Sequence, residues 1–233
     1  MMRGWKVFVF DFDGVLVDSY TCLPSIYEHI ARLVGLREQD AKIFVKRAIK
    51  YEDEQDAIGN YDRMSWWPSL FKEFNISLSS VNIEKLLREF HELRARLAIV
   101  FEGVDDVLKL LREKAFNLVI LAGNDGQKSV KRKRIKASGL AQYFDEIIII
   151  GEDTDSRISG VNLILKKFNV SENQLVLIED KPRPINEVKE NFKGISTIKV
   201  DFESILKLAW RKGACTPDFR ITTINELKEL VRP

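Results

Sequence analysis

The stretch Val7-Phe8-Val9-Phe10-Asp11-Phe12-Asp13-Gly14-Val15-Leu16-Val17-Asp18-Ser19 decides how this chain reads. Its first four residues are wholly apolar, β-branched or aromatic, the pattern of a short strand buried on both faces of a parallel sheet. Two carboxylates, two residues apart, then stand where that strand ends. Buried carboxylates are costly unless a cation or a substrate compensates them. The carboxyl ends of parallel strands are also where open α/β sheets bind ligands. Asp11 and Asp13 therefore mark a place for Mg²⁺, whose ligands are all oxygens, rather than a pair of turn caps. Gly14 supplies the turn away from the sheet.

Outward from this segment the pattern recurs. Apolar runs at 118–121, 147–150 and 175–178 resemble the first, and a shorter candidate at Ser196–Val200 follows Lys193 and Gly194. Between them lie helical patterns: 104–114, with apolar residues at Val104, Val107, Leu108 and Leu111, then 160–168 and 185–191. Strands alternating with helices predict an open, doubly wound, Rossmann-like α/β parallel sheet. The segment from Ser19 to Leu97 breaks the alternation. It holds helical periodicity only, at Ile26, Ile30, Leu33 and Val34, at 43–49, and at Leu86, Leu87, Phe90 and Leu93. Turn signals at Gly35, Gly59-Asn60 and Pro68 divide it. The expected organisation is a core of residues 1–18 and 97–233 with an inserted α-helical cap at 19–96.

Composition bounds the function. The 233 residues are 45% hydrophobic and 31% charged, with a net charge of +2, so an ordinary globular chain is expected, with no nucleic-acid partner. No stretch approaches ~20 uninterrupted apolar residues, so no membrane span is expected. No signal peptide is read at the start. Cys22 and Cys215 make no disulfide framework and suit a reducing, cytoplasmic setting. The charge run from Lys128 to Lys136 reads as the solvated face of a helix. His29 and His91 have no second ligand at metal spacing, and Trp66-Trp67 reads as packing inside the insertion. Oligomeric state is not legible.

Asp11-Phe12-Asp13-Gly14-Val15-Leu16 resembles the first motif of the haloacid dehalogenase superfamily in its phosphatase form. Phe101-Glu102-Gly103-Val104, the stretch from Gly139-Leu140 to Tyr143-Phe144-Asp145, and Thr216-Pro217-Asp218-Phe219-Arg220-Ile221 with Glu226-Leu227 resemble later segments of phosphoglycolate-phosphatase-like members. The resemblance implies that Asp11 is the nucleophile, forming an aspartyl phosphate, and that Asp13 is the general acid and then base. It further implies Mg²⁺ held by the Asp11 carboxylate, the Asp13 carbonyl and a later acid. Leu175-Val176-Leu177-Ile178-Glu179-Asp180 resembles the fourth motif, with Asp180 as metal ligand and Glu179 second or acting through water. An ion pair of Asp180 with Lys181 or Arg183 is the plainer alternative. The usual acid four residues on is replaced by Pro184.

Two motifs depart from the pattern. Ala122 stands where the second motif has a hydroxyl, leaving Gly123 and Asn124 to cradle the phosphate. Arg157 stands near the third-motif lysine, with Lys128 and Lys131 as competitors and a surface pair with Asp153 or Asp155 as its alternative. Arginine offers a planar fork where lysine offers a point charge. The implied activity is hydrolysis of a small phosphorylated metabolite; a sugar phosphomutase, or a weakened binding homologue, are the alternatives.

Overall fold

A computed structural model describes residues 4–202 and 213–232. The chain runs β1 (Val7–Phe10), β2 (Val17–Asp18), α1 (Leu23–Leu33), α2 (Glu38–Ile58), α3 (Arg63–Glu73), α4 (Ile83–Leu97) and β3 (Ile99–Val100). It continues through α5 (Val104–Glu113), β4 (Asn117–Gly123), α6 (Val130–Ala137), β5 (Glu146–Ile150), α7 (Arg157–Phe168) and β6 (Leu175–Glu179). The last elements are α8 (Pro182–Asn191), β7 (Ser196–Val200), β8 (Phe219–Ile221) and α9 (Leu227–Leu230). Residues 203–212, which the expected core includes, lie outside the described residues.

Six strands pair in parallel in the order β5-β4-β1-β6-β7-β8. The five apolar runs read from the sequence are all strands of this sheet, and Phe219–Ile221 in the closing segment adds the sixth. Strand alternation explains why the first run had to be apolar throughout. Val7 and Val9 pack with Val119, Leu121, Leu177 and Ile164 on one face, whereas Phe8 and Phe10 pack with Ile120, Val176 and Ile178 on the other. The chain leaves β1 toward β4 and β5, then crosses back to β6. β1 and β6 are therefore neighbours at the point where strand order reverses, the crevice where such sheets bind ligands. The Phe10–Ile178 register sets Asp11 beside Glu179.

Between the two-stranded antiparallel pair β2–β3 lie α1 to α4, with no strand among them. These helices bury an aromatic cluster of Tyr27, Phe44, Trp67, Phe71 and Phe90. Trp66 and Trp67 are both buried, as packing residues. Gly35 and Gly59 end segments as expected, but Pro68 does not divide the insertion: it sits inside α3. Flanking Trp67, Leu70 and Phe71 are buried, and their packing outweighs the one backbone bond a proline forgoes. The real break follows α3 at Asn75, which takes a left-handed conformation, and α4 starts on the Asn82 cap. Among the described residues no helix is long and apolar enough to cross a membrane.

Trp67→Ala removes the centre of the aromatic cluster. It is expected to cost about 3–5 kcal/mol, read as a lowered urea midpoint with loss of near-ultraviolet circular dichroism. A loss under about 1 kcal/mol would show that the cluster does not hold these helices together.

Candidate active site

Asp11 follows the last residue of β1, and its N–H donates to the Ile178 carbonyl at 3.0 Å, which locks its position against β6. Glu179 ends β6 and Asp180 follows it. Ligand oxygens of Asp11, Glu179 and Asp180 all lie within 4.8 Å of one another, and all three residues are buried. The sequence expectation that acids from two distant stretches meet is met here.

The three carboxyls are not equivalent. One Glu179 oxygen accepts the backbone N–H groups of Asp180 (2.8 Å) and Lys181 (3.0 Å), and the other lies 3.2 Å from Arg157. Neither oxygen of the Asp180 carboxylate accepts a hydrogen bond among the described residues, although both are buried. Lys181 pairs with Asp56 on α2, at 2.6 Å, and not with Asp180. Buried carboxylates without donors are rare because each loses its hydration without replacement. Burial and then the Glu179 charge push the Asp180 carboxyl well above the usual range, and the same two causes raise Asp11 to about 7. A divalent cation answers all of these observations. Held by Asp11, Glu179 and Asp180, it would supply the missing partner of Asp180 and offset the crowded charge. Gly14 permits the arrangement: a Cβ there would collide with the Asp180 carboxylate, and its φ of +80° suits glycine.

Arg157 opens α7 and is buried against Glu179, so it is not the surface partner of Asp153 or Asp155; Arg132 pairs with Asp153. Gly123 and Asn124 line the same cavity as Asp11. The Asn124 backbone N–H, expected to cradle a phosphate, instead donates to the Ile150 carbonyl at 3.1 Å, extending the β4–β5 ladder. Its side-chain oxygen accepts from the Gly126 N–H at 3.0 Å. Ala122 is wholly buried among apolar neighbours.

A second cluster surrounds Asp13, and the sequence reading missed most of it. Asp13 accepts from Ser19, Lys131 and Arg134. Asp125, the residue after Asn124, accepts from Arg134 at 2.9 Å and lies 3.2 Å from Lys131 and 3.4 Å from Arg94 on α4. All five charged residues are buried. The 128–136 run is thus not a solvated face throughout: Lys128, Lys133 and Lys136 are exposed, but Lys131 and Arg134 point into the protein. α6 carries almost no apolar stripe, so a helix packed on this edge had to bury charge against charge. Lys131 and Arg134, three apart on one face, and an acid directly behind the apolar β4 run were the available signals. Burial alone would raise Asp13 and Asp125, but Arg134, Lys131 and Arg94 outweigh it and hold both carboxyls well below the usual range.

Arg94 reaches this cluster from the inserted helices, whose loop also closes on the site: a Cβ on Gly126 would lie 2.5 Å from the Tyr61 carbonyl oxygen. Buried His91 has no partner for its Nδ1 among the described residues, and burial, then Arg63, lowers it to about 3, so it stays neutral. His29 pairs with Glu89, and Cys22 and Cys215 are free thiols.

A profile of haloacid dehalogenase-like hydrolases matches residues 8–191. The chain belongs to that family. Among curated proteins no sequence matches. Similar solved structures include a predicted phosphoglycolate phosphatase from Haemophilus somnus (TM-score 0.70, 16% identity, all of both chains covered). L-2-haloacid dehalogenase from Xanthobacter autotrophicus matches at TM-score 0.66 and 18% identity over 98% of each chain. A protein assigned as a β-phosphoglucomutase from Thermotoga maritima matches at 0.67 and 20%, over 96% of this chain and 99% of that one. At these identities the likeness establishes the fold alone, and the neighbours' names span three chemistries.

Asp125→Asn leaves Arg134 and Lys131 short of a buried counter-charge. The variant is expected to lose about 3–5 kcal/mol near neutral pH. Because the Asp125 carboxyl is depressed in the fold, its stabilisation is complete above the unfolded value of about 3.9 and fades as pH falls below it. Urea unfolding of the two proteins should show a constant gap from about pH 5 to 8 that narrows below about pH 4. A gap that instead widens in acid would contradict the assignment.

Proposed function

We propose that this chain is a magnesium-dependent phosphatase that hydrolyses a small phosphate monoester through an aspartyl-phosphate at Asp11. The observation that carries the reading is the Asp11–Glu179–Asp180 trio at the strand-order reversal, with a buried Asp180 carboxylate that no donor meets among the described residues. When bound there, Mg²⁺ supplies charge neutralisation between an anionic nucleophile and an anionic substrate.

The protein's own residues do the rest. An Asp11 oxygen attacks phosphorus in line, and the ester bond to the leaving oxygen breaks. Asp13, two residues on, delivers a proton to that oxygen, then takes one from the water that attacks the phosphoryl group and frees Asp11. The cations around Asp13 favour its carboxylate form, so carrying the proton that the leaving oxygen takes is its demanding half-step. Arg157 holds Glu179 and adds positive charge to the same edge. Helices α1 to α4 act as a cap: Tyr61, Asp56 with Lys181, and Arg94 with Asp125 bring them over the cavity. Closure of such a cap excludes water and selects the leaving group.

Asp13 favours phosphate over halide chemistry, since a departing halide needs no proton. The Glu179-Asp180 pair is also what the sequence resemblance gives for sugar phosphomutases, and product analysis separates the two. A mutase returns an isomeric phosphate and releases little orthophosphate. A panel of small phosphate esters assayed with Mg²⁺ and with EDTA tests the proposal, with 2-chloropropionate as a halide-release control. Orthophosphate release that needs Mg²⁺ and falls more than about 10³-fold in Asp11→Asn is expected. Turnover that survives Asp11→Asn, or exhaustive chelation, would remove the nucleophile or the metal from the account.

A further inference from the structure

The chamber that holds Asp11, Asp13 and Lys131 is small. The space in it open to the centre of a water molecule is about 60 Å³, and one water needs ~10–15 Å³ on that measure. Roughly five water positions make room for a phosphoryl group and an attacking water, but not for the alcohol of an ester as well. In a phosphate ester bound here the alcohol has to lie outside the chamber.

A larger cleft adjoins it. Tyr61, Gly123 and the Asp56–Lys181 pair line both spaces, and the cleft has about 610 Å³ open on the same measure. It runs between the end of α2 and the first turns of α7 and α8. Tyr61 stands at the junction. Its ring lies against Gly123, 3.5 Å from where a Cβ would be, and the Lys181 ammonium is 5.3 Å from the ring centre.

The lining says what the cleft suits. Ala57, Tyr61, Ile150, Pro182 and Pro184 offer apolar faces, which match a ring system better than a flexible polyol. The charges do not suit a second anion. Arg157 pairs with Glu179, and Lys181 with Asp56. Asp155, Arg183 and Glu187 make no ion pair among the described residues, and two of these three are acids. A leaving group with a carboxylate or a second phosphate would meet surplus negative charge here. The volume falls within the ~300–1,000 Å³ of small-molecule sites, enough for two rings.

We propose that the substrate is the phosphate ester of an uncharged, ring-bearing alcohol of about nucleoside size, whose rings lie in this outer cleft against Tyr61. This rests on the phosphoryl-transfer reading above and names its substrate class. The phosphoryl group enters the inner chamber, and the alcohol crosses Tyr61 and stays outside.

Orthophosphate release with Mg²⁺ is compared for uridine and adenosine 5′-monophosphate, 2-phosphoglycolate, fructose 1,6-bisphosphate and acetyl phosphate. At least one nucleotide should exceed both 2-phosphoglycolate and the bisphosphate about 10-fold or more in kcat/KM. A57W then fills the cleft from the exposed last turn of α2. It should lower kcat/KM for the nucleotide about 10-fold or more relative to acetyl phosphate, chiefly through KM. Saturation-transfer NMR with the matching nucleoside, in EDTA, reads the cleft without metal or turnover. Contact with the native chain and its loss in A57W are expected. Thermal unfolding checks the variant, and A214W, which fills the cleft from the opposite wall, replaces it if α2 loosens.

Preference for 2-phosphoglycolate or the bisphosphate overturns the proposal while leaving the phosphatase reading in place. So does a nucleotide-to-acetyl-phosphate ratio that the folded tryptophan variant does not move, or a nucleoside that makes no contact with the native chain. Release of orthophosphate from none of the esters sinks the phosphoryl-transfer reading, and the proposal with it.

Discussion

Three carboxyl groups packed at the ends of two adjacent buried strands are an arrangement that a folded chain tolerates only with a compensating charge. Arg157 is the cation bonded to this trio among the described residues, and it reaches only Glu179. Asp180 is buried with no donor among the described residues. Leaving such groups unpaired costs more than most single interactions contribute. The surrounding structure is shaped to allow it. Gly14 makes room for the Asp180 carboxylate, the Asp11 backbone is pinned to β6, and the Phe10–Ile178 register aligns the acids.

A few ångströms away the imbalance has the opposite sign. Arg94, Lys131 and Arg134 face two carboxylates, Asp13 and Asp125, so this side of the cavity carries surplus positive charge. One wall suits a divalent cation and the other suits an anion. On the proposed reading, a phosphate ester with its metal would fit that polarity in one orientation, with Asp11 on the acidic wall. Preorganised charge of this kind is the largest single contribution in many phosphoryl-transfer sites. Arg94 comes from the inserted helices, so the anion-facing wall is complete only when those helices lie against the core. On the proposed reading, substrate capture and the position of these helices are linked through the Arg94 guanidinium.

The sequence made the frame legible because burial on both faces of a parallel sheet leaves runs with no polar residue, and carboxylates placed at their ends stand out. Asp11, Glu179 and Asp180 were readable for that reason. What stayed hidden depended on tertiary context. Arg134 reads as a surface residue in one dimension and Lys131 only as a competitor for the third-motif lysine, since their pairing with Asp13 and Asp125 is long-range. The Asn124 backbone N–H reads as free to cradle a phosphate, yet the β4–β5 ladder claims it. Pro68 reads as a breaker by local rule, yet the aromatic packing of α3 overrides it. In each case a long-range partner decided the outcome.

The central claim is that the buried acids await a divalent cation, and the thermal response of the Asp180→Asn variant to Mg²⁺ tests it most directly. If Asp180 is an uncompensated carboxylate, removing its charge should raise the unfolding midpoint in EDTA above that of the native chain. Mg²⁺ should then raise the native midpoint in proportion to its saturation of the site and leave the variant almost unmoved. A variant destabilised in EDTA, or one stabilised by Mg²⁺ as strongly as the native chain, would contradict the account.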